Sequence, residues 1–515
     1  MKVSSMREQD FFAFLGVPYA KPPIGELRFK APQQPDPWTE IYDANDERNI
    51  CPQIGLLSGK VEGNEDCLFL NIFTPNLTVK SYNDLMPVMI WIHGGNFVTG
   101  SGTSIMFGPD HLLTENVILV TINYRLGLLG FLCLREVDIP GNNGLKDQVM
   151  AMHWVKKNIM KFGGDPSRVT IFGQSAGAAS VHLHMMSPMT YGLFHRAIAQ
   201  SGTGLASWAF GEPEYITAAA FIIGSKIGCN FTKAKELHEC FKAKPALDFV
   251  NVTAFEVETG LPSVEMKPTW EDGSSSEPVF LPGKPIDLIQ ARKFQVVPFI
   301  TGINSKEALT FLEITKMPNF WDKFDKNFDK VVDMAAGKES PKSKGVSDKI
   351  KSYYFKDKKP SAETEDNFVD CYSDLSFFIG VDRAVKIQSI TSTAPIYYYW
   401  FGFDGEFGVA KRAVKLQKEG VAHADELGYL FSTAISPPLT EGTDEMKTMN
   451  RMIKMWTNFA KTGNPTSEMN SDLNIQWQPT TRNNPVYLEI GKELSMKRDL
   501  LKERADLWKE ALDPI

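Results

Sequence analysis

One serine stands among residues suited to nucleophilic chemistry. Gly173-Gln174-Ser175-Ala176-Gly177 reads G-x-S-x-G, a pattern in which small flanking residues let a serine occupy a sharp turn with its hydroxyl projecting. The pattern alone is a weak signal, so the flanks carry the weight. Val169-Thr170-Ile171-Phe172 before it is strand-like, and Ala176–Met186 after it is helix-like. Ser175 then sits at the end of a sheet and at a helix N-terminus, whose field favours developing negative charge. The bland alternative is a plain turn serine, which leaves this strand–turn–helix setting unexplained.

A serine hydroxyl is a poor nucleophile until a base takes its proton. On an α/β-hydrolase scaffold the chain order is serine, acid, histidine. Of eight histidines only His238 and His423 lie well beyond Ser175. His238 leaves no room for a preceding acid after a strand, so that order selects His423, in the loop Gly420-Val421-Ala422-His423-Ala424. The acid should follow a later strand of the same sheet. Val296–Gly302 reads as such a strand, and Glu307 comes just after it; Asp404 is the rival. An oxyanion also needs backbone N–H donors. His93-Gly94-Gly95-Asn96 follows an early strand and offers Gly95 and Asn96, with Ala176 as the third donor. His93 itself reads as a brace for that loop.

The elements that must hold these residues are legible as alternating runs. Val88–His93, Val117–Asn123, Val169–Phe172, Arg196–Gln200 and Val297–Gly302 are near-continuously apolar, as parallel strands covered on both faces must be. The aromatic stretch Ile396–Phe403 adds another. Leu145–Lys161 has helical spacing and stops at Phe162-Gly163-Gly164-Asp165-Pro166. Lys323–Lys359 reads as solvated helices and loops. With no repeat and no Pro/Ser-rich linker, residues 1–515 form one α/β unit: a mostly parallel sheet flanked by helices, with large helical insertions.

Composition is that of a globular protein with a sizeable core: 43% hydrophobic, 23% charged. A formal charge of −7 without a basic patch argues against nucleic acid. The longest apolar run, Val117 to Leu134, contains Asn123 and Arg125, so no transmembrane segment is expected. Met1 to Asp10 shows no apolar signal-peptide core. None of the six cysteines has CxxC spacing; short loops closed by Cys51/Cys67 and Cys229/Cys240, or six reduced thiols, fit equally. Sequons stand at Asn76, Asn230 and Asn251.

Further motifs extend these observations along the chain: Gly16-Val17-Pro18-Tyr19-Ala20, Leu27-Arg28-Phe29, Glu65-Asp66-Cys67-Leu68-Phe69-Leu70-Asn71, Asn123-Tyr124-Arg125, Asp147-Gln148, Gln200-Ser201-Gly202 and Trp456-Thr457-Asn458-Phe459. Together they resemble the type-B carboxylesterase and cholinesterase family over nearly the whole length, most of all insect carboxylesterases. The resemblance implies an α/β-hydrolase fold and a Ser-His-Glu triad. It implies disulfides Cys51–Cys67 and Cys229–Cys240, and a role for Ser201 in supporting Glu307. It favours Glu307 over Asp404 through the Asn-x-x-Glu context. Acyl transfer through such a triad needs no cofactor or metal, takes a small-molecule ester as substrate, and makes organophosphates covalent inhibitors of Ser175, because a tetrahedral phosphoryl group imitates the intermediate. Family members carry a further stretch before the Pro18-Tyr19-Ala20 region, so a shortened start is expected. The compartment, secreted or cytoplasmic, therefore stays open. Asn96 departs from the usual Gly or Ala and is expected to slow acyl transfer.

Three rivals share the scaffold. A non-catalytic adhesion module would lack a triad member, and all three candidates are present. A cholinesterase wants aromatic faces for a quaternary ammonium, yet the 51–67 loop contains no Trp. A juvenile-hormone-esterase type shares the Gly-Gln-Ser-Ala-Gly elbow and stands as the runner-up to a general carboxylesterase.

Overall fold

The computed structural model describes the chain except residues 1, 5–9, 57, 79, 253, 257–261, 265, 337–343, 357 and 513–515. Its frame is an eleven-stranded sheet. In chain order the strands are β1 (Lys2–Ser4), β2 (Asp10–Pro18), β3 (Phe69–Thr74), β4 (Met86–Ile92), β5 (Ile118–Ile122) and β6 (Gly164–Gln174). They continue with β7 (Arg196–Gln200), β8 (Phe299–Asn304), β9 (Ile396–Phe401), β10 (Val486–Ile490) and β11 (Leu494–Arg498). The spatial order is β1-β2-β3-β5-β4-β6-β7-β8-β9-β10-β11. From β5 to β10 every neighbouring pair is parallel, and antiparallel strands finish both edges.

Because alternate side chains leave opposite faces, each central strand feeds two cores. Val88, Ile90 and Ile92 join one, with Leu145, Val149 and Met152 of α1 (Asn143–Asn158) and Ala178, Val181 and Leu183 of α2 (Ala176–Met186). Met89 and Trp91 join the other, with Met452, Ile453, Trp456 and Phe459 from a long helix at Asp444–Thr462. This double burial is why the strands read as unbroken apolar runs. The last of these helices begins at Thr443, whose hydroxyl accepts from the Met446 N–H at 3.3 Å, and stops at Gly463, where φ is +83°.

The sequence expectations place the sheet strands within a few residues. The helix expected over Leu145–Lys161 is Asn143–Asn158 followed by a 3₁₀ turn, Ile159–Phe162. The 323–359 region needs correction. Its described helices Phe320–Lys326, Phe328–Ala336 and Lys344–Phe355 build a satellite core from Phe324, Phe328, Val331, Val332, Ile350 and Tyr354. Few apolar positions suffice there because aromatic rings bury much area each.

Two motifs singled out from sequence pair with others. Arg28 donates to both Glu65 carboxylate oxygens, at 2.7 and 2.5 Å. Arg125 does the same to Asp147, at 2.8 and 2.7 Å, where both side chains are buried. They fasten the start of the chain, the 51–67 loop and α1 to the sheet. Cys51–Cys67 and Cys229–Cys240 are disulfide-bonded, while Cys133 and Cys371 are free and buried. Asn76 and Asn230 are exposed; the sequon at Asn251 reaches Thr253, outside the described residues. Among the described residues no helix is long and apolar enough to cross a membrane.

Candidate active site

Ser175 terminates β6 and starts α2, with φ +59° and ψ −124°, a conformation that holds a non-glycine residue only when its surroundings enforce it. The Ser175 N–H donates to the Gln200 carbonyl at 2.9 Å, and its carbonyl accepts the Ala179 N–H at 2.9 Å. The crossing of α2 over β4 admits only a hydrogen at residue 177, because a Cβ there would overlap the Ile92 carbonyl. The elbow expected from G-x-S-x-G is thus the geometry observed.

Glu307 follows β8 and is fully buried. Its Oε1 accepts the Asn304 N–H at 2.7 Å, and its Oε2 lies 2.6 Å from His423 Nδ1. The two loops are stitched along their backbones. His423 N–H donates to the Glu307 carbonyl at 3.1 Å, Lys306 N–H to the Val421 carbonyl at 2.9 Å, and Thr310 Oγ1 to the His423 carbonyl at 3.0 Å. Asp404, the rival acid, is exposed and accepts instead from Lys411 Nζ at 2.7 Å and the Gly420 N–H at 2.8 Å.

His423 Nε2 accepts a hydrogen bond from the Gln174 side-chain amide at 3.1 Å. Among the described residues no hydrogen bond joins Ser175 Oγ to His423, and the Gln174 amide is the partner of Nε2. The arrangement assigns the ring proton to Nδ1, facing Glu307, and the free lone pair to Nε2. Phe377 packs on the imidazole at 4.3 Å between ring centroids and Phe311 at 5.7 Å. Phe377 reaches it from a π-helical turn, Asp374–Phe378, whose Ser376 carbonyl accepts the Trp208 Nε1–H at 2.7 Å. These aromatic neighbours carry no signal in the sequence, since nothing local marks a π turn.

The expected oxyanion loop runs against the nucleophile. A Cβ on Gly94 would come within 3.0 Å of Ser175 Cβ. Gly95, Asn96 and Phe97 take left-handed φ of +110°, +54° and +61°, so the chain turns sharply beside the nucleophile. Ala176 is the first residue of α2, and its N–H has no acceptor within that helix. His93 braces, as expected. Its ring stacks on Tyr124 at 4.4 Å, its Nδ1 donates to the Gly94 carbonyl at 2.8 Å, and burial pulls its pKa down to about 4.

Ser201 departs from expectation. Its Oγ is buried and makes no hydrogen bond to Glu307 or to any other group among the described residues. Asn304 is the support that sequence reasoning missed. Its amide also donates to Glu426 Oε2 at 2.6 Å and the Ala422 carbonyl at 2.8 Å. Glu426 is a second buried carboxyl, pushed up to about 7 by burial and by the neighbouring Glu307 charge. The Asn-x-x-Glu spacing was the available signal for Asn304. Among the described residues no cluster of three or more His, Cys, Asp or Glu could hold a metal ion.

The Carboxylesterase family profile matches residues 1–508. The chain belongs to the carboxylesterase family. That family is one of serine hydrolases, and this member is an ester hydrolase by class. Esterase FE4 of Myzus persicae is 37% identical over 485 residues, covering 92% of this chain and 83% of that protein. Juvenile hormone esterase of Tribolium castaneum is 33% identical over 494 residues, covering 91% and 83%. The solved structure of juvenile hormone esterase from Manduca sexta, with OTFP covalently attached, superposes with a TM-score of 0.87 at 29% identity, covering 99% of this chain and 97% of that one. The carboxylesterase fold is therefore that of an α/β-hydrolase, as the sequence resemblance implies.

Proposed function

We propose that this carboxylesterase hydrolyses small apolar carboxylic esters by two-step acyl transfer through Ser175, His423 and Glu307. The observation that carries the reading is the buried 2.6 Å contact of Glu307 with His423 Nδ1, beside a serine held at φ +59°. When an ester enters, Gln174 yields Nε2 and His423 takes the Ser175 proton as Oγ attacks the carbonyl carbon. Gly95, Asn96 and Ala176 N–H groups receive the oxyanion. His423 then protonates the leaving alcohol, and a water activated by the same base releases the acid. The chemistry calls for no metal or organic cofactor. A tetrahedral phosphoryl group imitates the intermediate, so organophosphates should modify Ser175.

The aromatic surroundings of His423, with Phe311, Phe377 and Trp208, favour apolar acyl or alcohol groups. A hormone-specific esterase is the second reading, favoured by the Manduca sexta structure and by Gln174 in the elbow. Hydrolysis of a p-nitrophenyl ester series by wild type, Ser175→Ala and His423→Ala tests the proposal. Turnover that collapses in both variants supports it, and a broad chain-length profile favours the general esterase. A folded wild type without turnover refutes it.

A further inference from the structure

The oxyanion loop is tied to a part of the chain that sequence reading leaves unconnected to it. Gln53 lies two residues after Cys51, at the start of a short hairpin, Gln53–Ile54 paired with Val61–Glu62, inside the loop closed by the Cys51–Cys67 disulfide. Its side chain is buried, and all of its hydrogen-bonding capacity is used. Oε1 accepts from the Gly100 N–H at 2.7 Å and from Thr99 Oγ1 at 2.9 Å. Nε2 donates to the Gly100 carbonyl at 2.8 Å and to the Cys51 carbonyl at 3.0 Å. The amide thus meets both polar groups of residue 100, as a neighbouring strand would.

Gly100 is the far end of the oxyanion loop. Its φ is +108°, and a Cβ there would overlap His93 Nδ1 and the Gly94 carbonyl, so its backbone lies directly against both. Between these ends the loop closes on itself, the Gly95 carbonyl accepting the Val98 and Thr99 N–H groups at 3.0 Å each. The anchor for Gln53 is itself fixed. Asn123 donates to the Asn49 carbonyl at 3.1 Å and the Cys67 carbonyl at 3.2 Å, and accepts the Gly102 N–H at 2.8 Å. A continuous chain of contacts therefore runs from the disulfide loop through Gln53 and Gly100 to Gly94, which abuts Ser175.

The geometry points to Gln53 as a positioning residue for the oxyanion hole, transmitting the rigidity of the disulfide-closed loop to the Gly95 and Asn96 donors. This inference rests on the acyl-transfer reading above. Preorganised donors are worth about 10²–10³ in kcat each, and a site needs them held to roughly 0.5 Å. Releasing the clamp should forfeit a fraction of that, roughly tenfold.

The test compares wild type with Gln53→Met, which keeps the volume and removes all four bonds, and Gln53→Glu, which keeps the two accepted bonds and loses both donations. Each is assayed on p-nitrophenyl acetate well below its own Tm and titrated with a trifluoromethyl ketone, which adds Ser175 and places its oxyanion in the hole. We expect Gln53→Met to lose roughly tenfold in kcat and the same factor in ketone affinity, with KM little changed. Gln53→Glu, whose second carboxylate oxygen would face the Gly100 and Cys51 carbonyls, should lose at least as much. A Cys51→Ser/Cys67→Ser protein should show the same paired loss. Unchanged kcat and ketone affinity, with only Tm lowered, would overturn the proposal and leave Gln53 a structural clamp. If Gln53→Met yields no soluble protein, Gln53→Glu decides by the same two readouts. Wild type serves as the control: were it inactive, the acyl-transfer reading would fail instead.

Discussion

Replacing Glu307 by Gln tests the site through a change that leaves its shape intact. Oε1 faces the Asn304 backbone N–H at 2.7 Å, a donor that cannot turn away. The new amide must therefore keep its oxygen there and direct its NH₂ at His423 Nδ1, now 2.6 Å distant. Two donors cannot share that contact, so the imidazole changes tautomer and carries its proton on Nε2. A ring protonated there cannot accept the serine proton. The equivalent Asp→Asn change in the chymotrypsin-type triad lowers kcat by about 10⁴ through the same wrong tautomer. We expect roughly 10³–10⁴ here, which is about 4–5.5 kcal/mol of transition-state stabilisation at 1.36 kcal/mol per tenfold. The assay is kcat on p-nitrophenyl acetate with Tm measured alongside. Asp404→Asn is the control, and its kcat should stay near wild type. A loss of less than tenfold in Glu307→Gln, in a protein that melts normally, would refute the tautomer argument; a collapse in Asp404→Asn would move the acid.

Acid should unfold the protein partly through two buried histidines of α2. Burial lowers the pKa of His182 to about 4 and of His184 to about 3, against 6.5 for an exposed imidazole. Both are neutral when folded, so their contribution is whole above pH 6.5 and fades as pH falls from there towards 4 and 3, each at up to about 1.4 kcal/mol per pH unit. His184→Gln should flatten the fall of Tm by one group's share; an unaltered slope would count against it. Phe377→Ala removes the ring packed on His423 and should move the ester-series optimum to longer acyl chains, whereas an unchanged profile would exclude that ring from the acyl path. Asn96→Gly keeps the left-handed φ of +54° without a side chain, and turnover of short esters should rise. Equal turnover would show that the Asn96 amide is innocuous.

Much of the frame was legible because its physics is local. Parallel strands buried on both faces must be apolar throughout, so Val88–His93 and Arg196–Gln200 announce themselves, and a serine elbow needs small neighbours at fixed positions. Chain order then leads to His423, and the strand before Glu307 leads to the acid. What stayed hidden depends on contacts between distant segments. Gln174 on Nε2, Phe377 on the imidazole and the Asn304 amide on Glu426 each bring together residues that share no period or motif. Ser201 shows the converse: its place in a recognisable Gln-Ser-Gly segment suggested a hydrogen bond to Glu307 that is not made. The 323–359 helices misled because charge dominates their composition while a few aromatic residues supply their core.

The central claim is that Ser175 is made nucleophilic by His423. Its most direct test is covalent labelling by a fluorophosphonate, followed by mass spectrometry of the peptide containing residue 175. One adduct per chain is expected, on Ser175, formed rapidly in wild type, lost in Ser175→Ala and slowed by orders of magnitude in His423→Ala. Labelling at another residue, or undiminished labelling of folded His423→Ala, would contradict it.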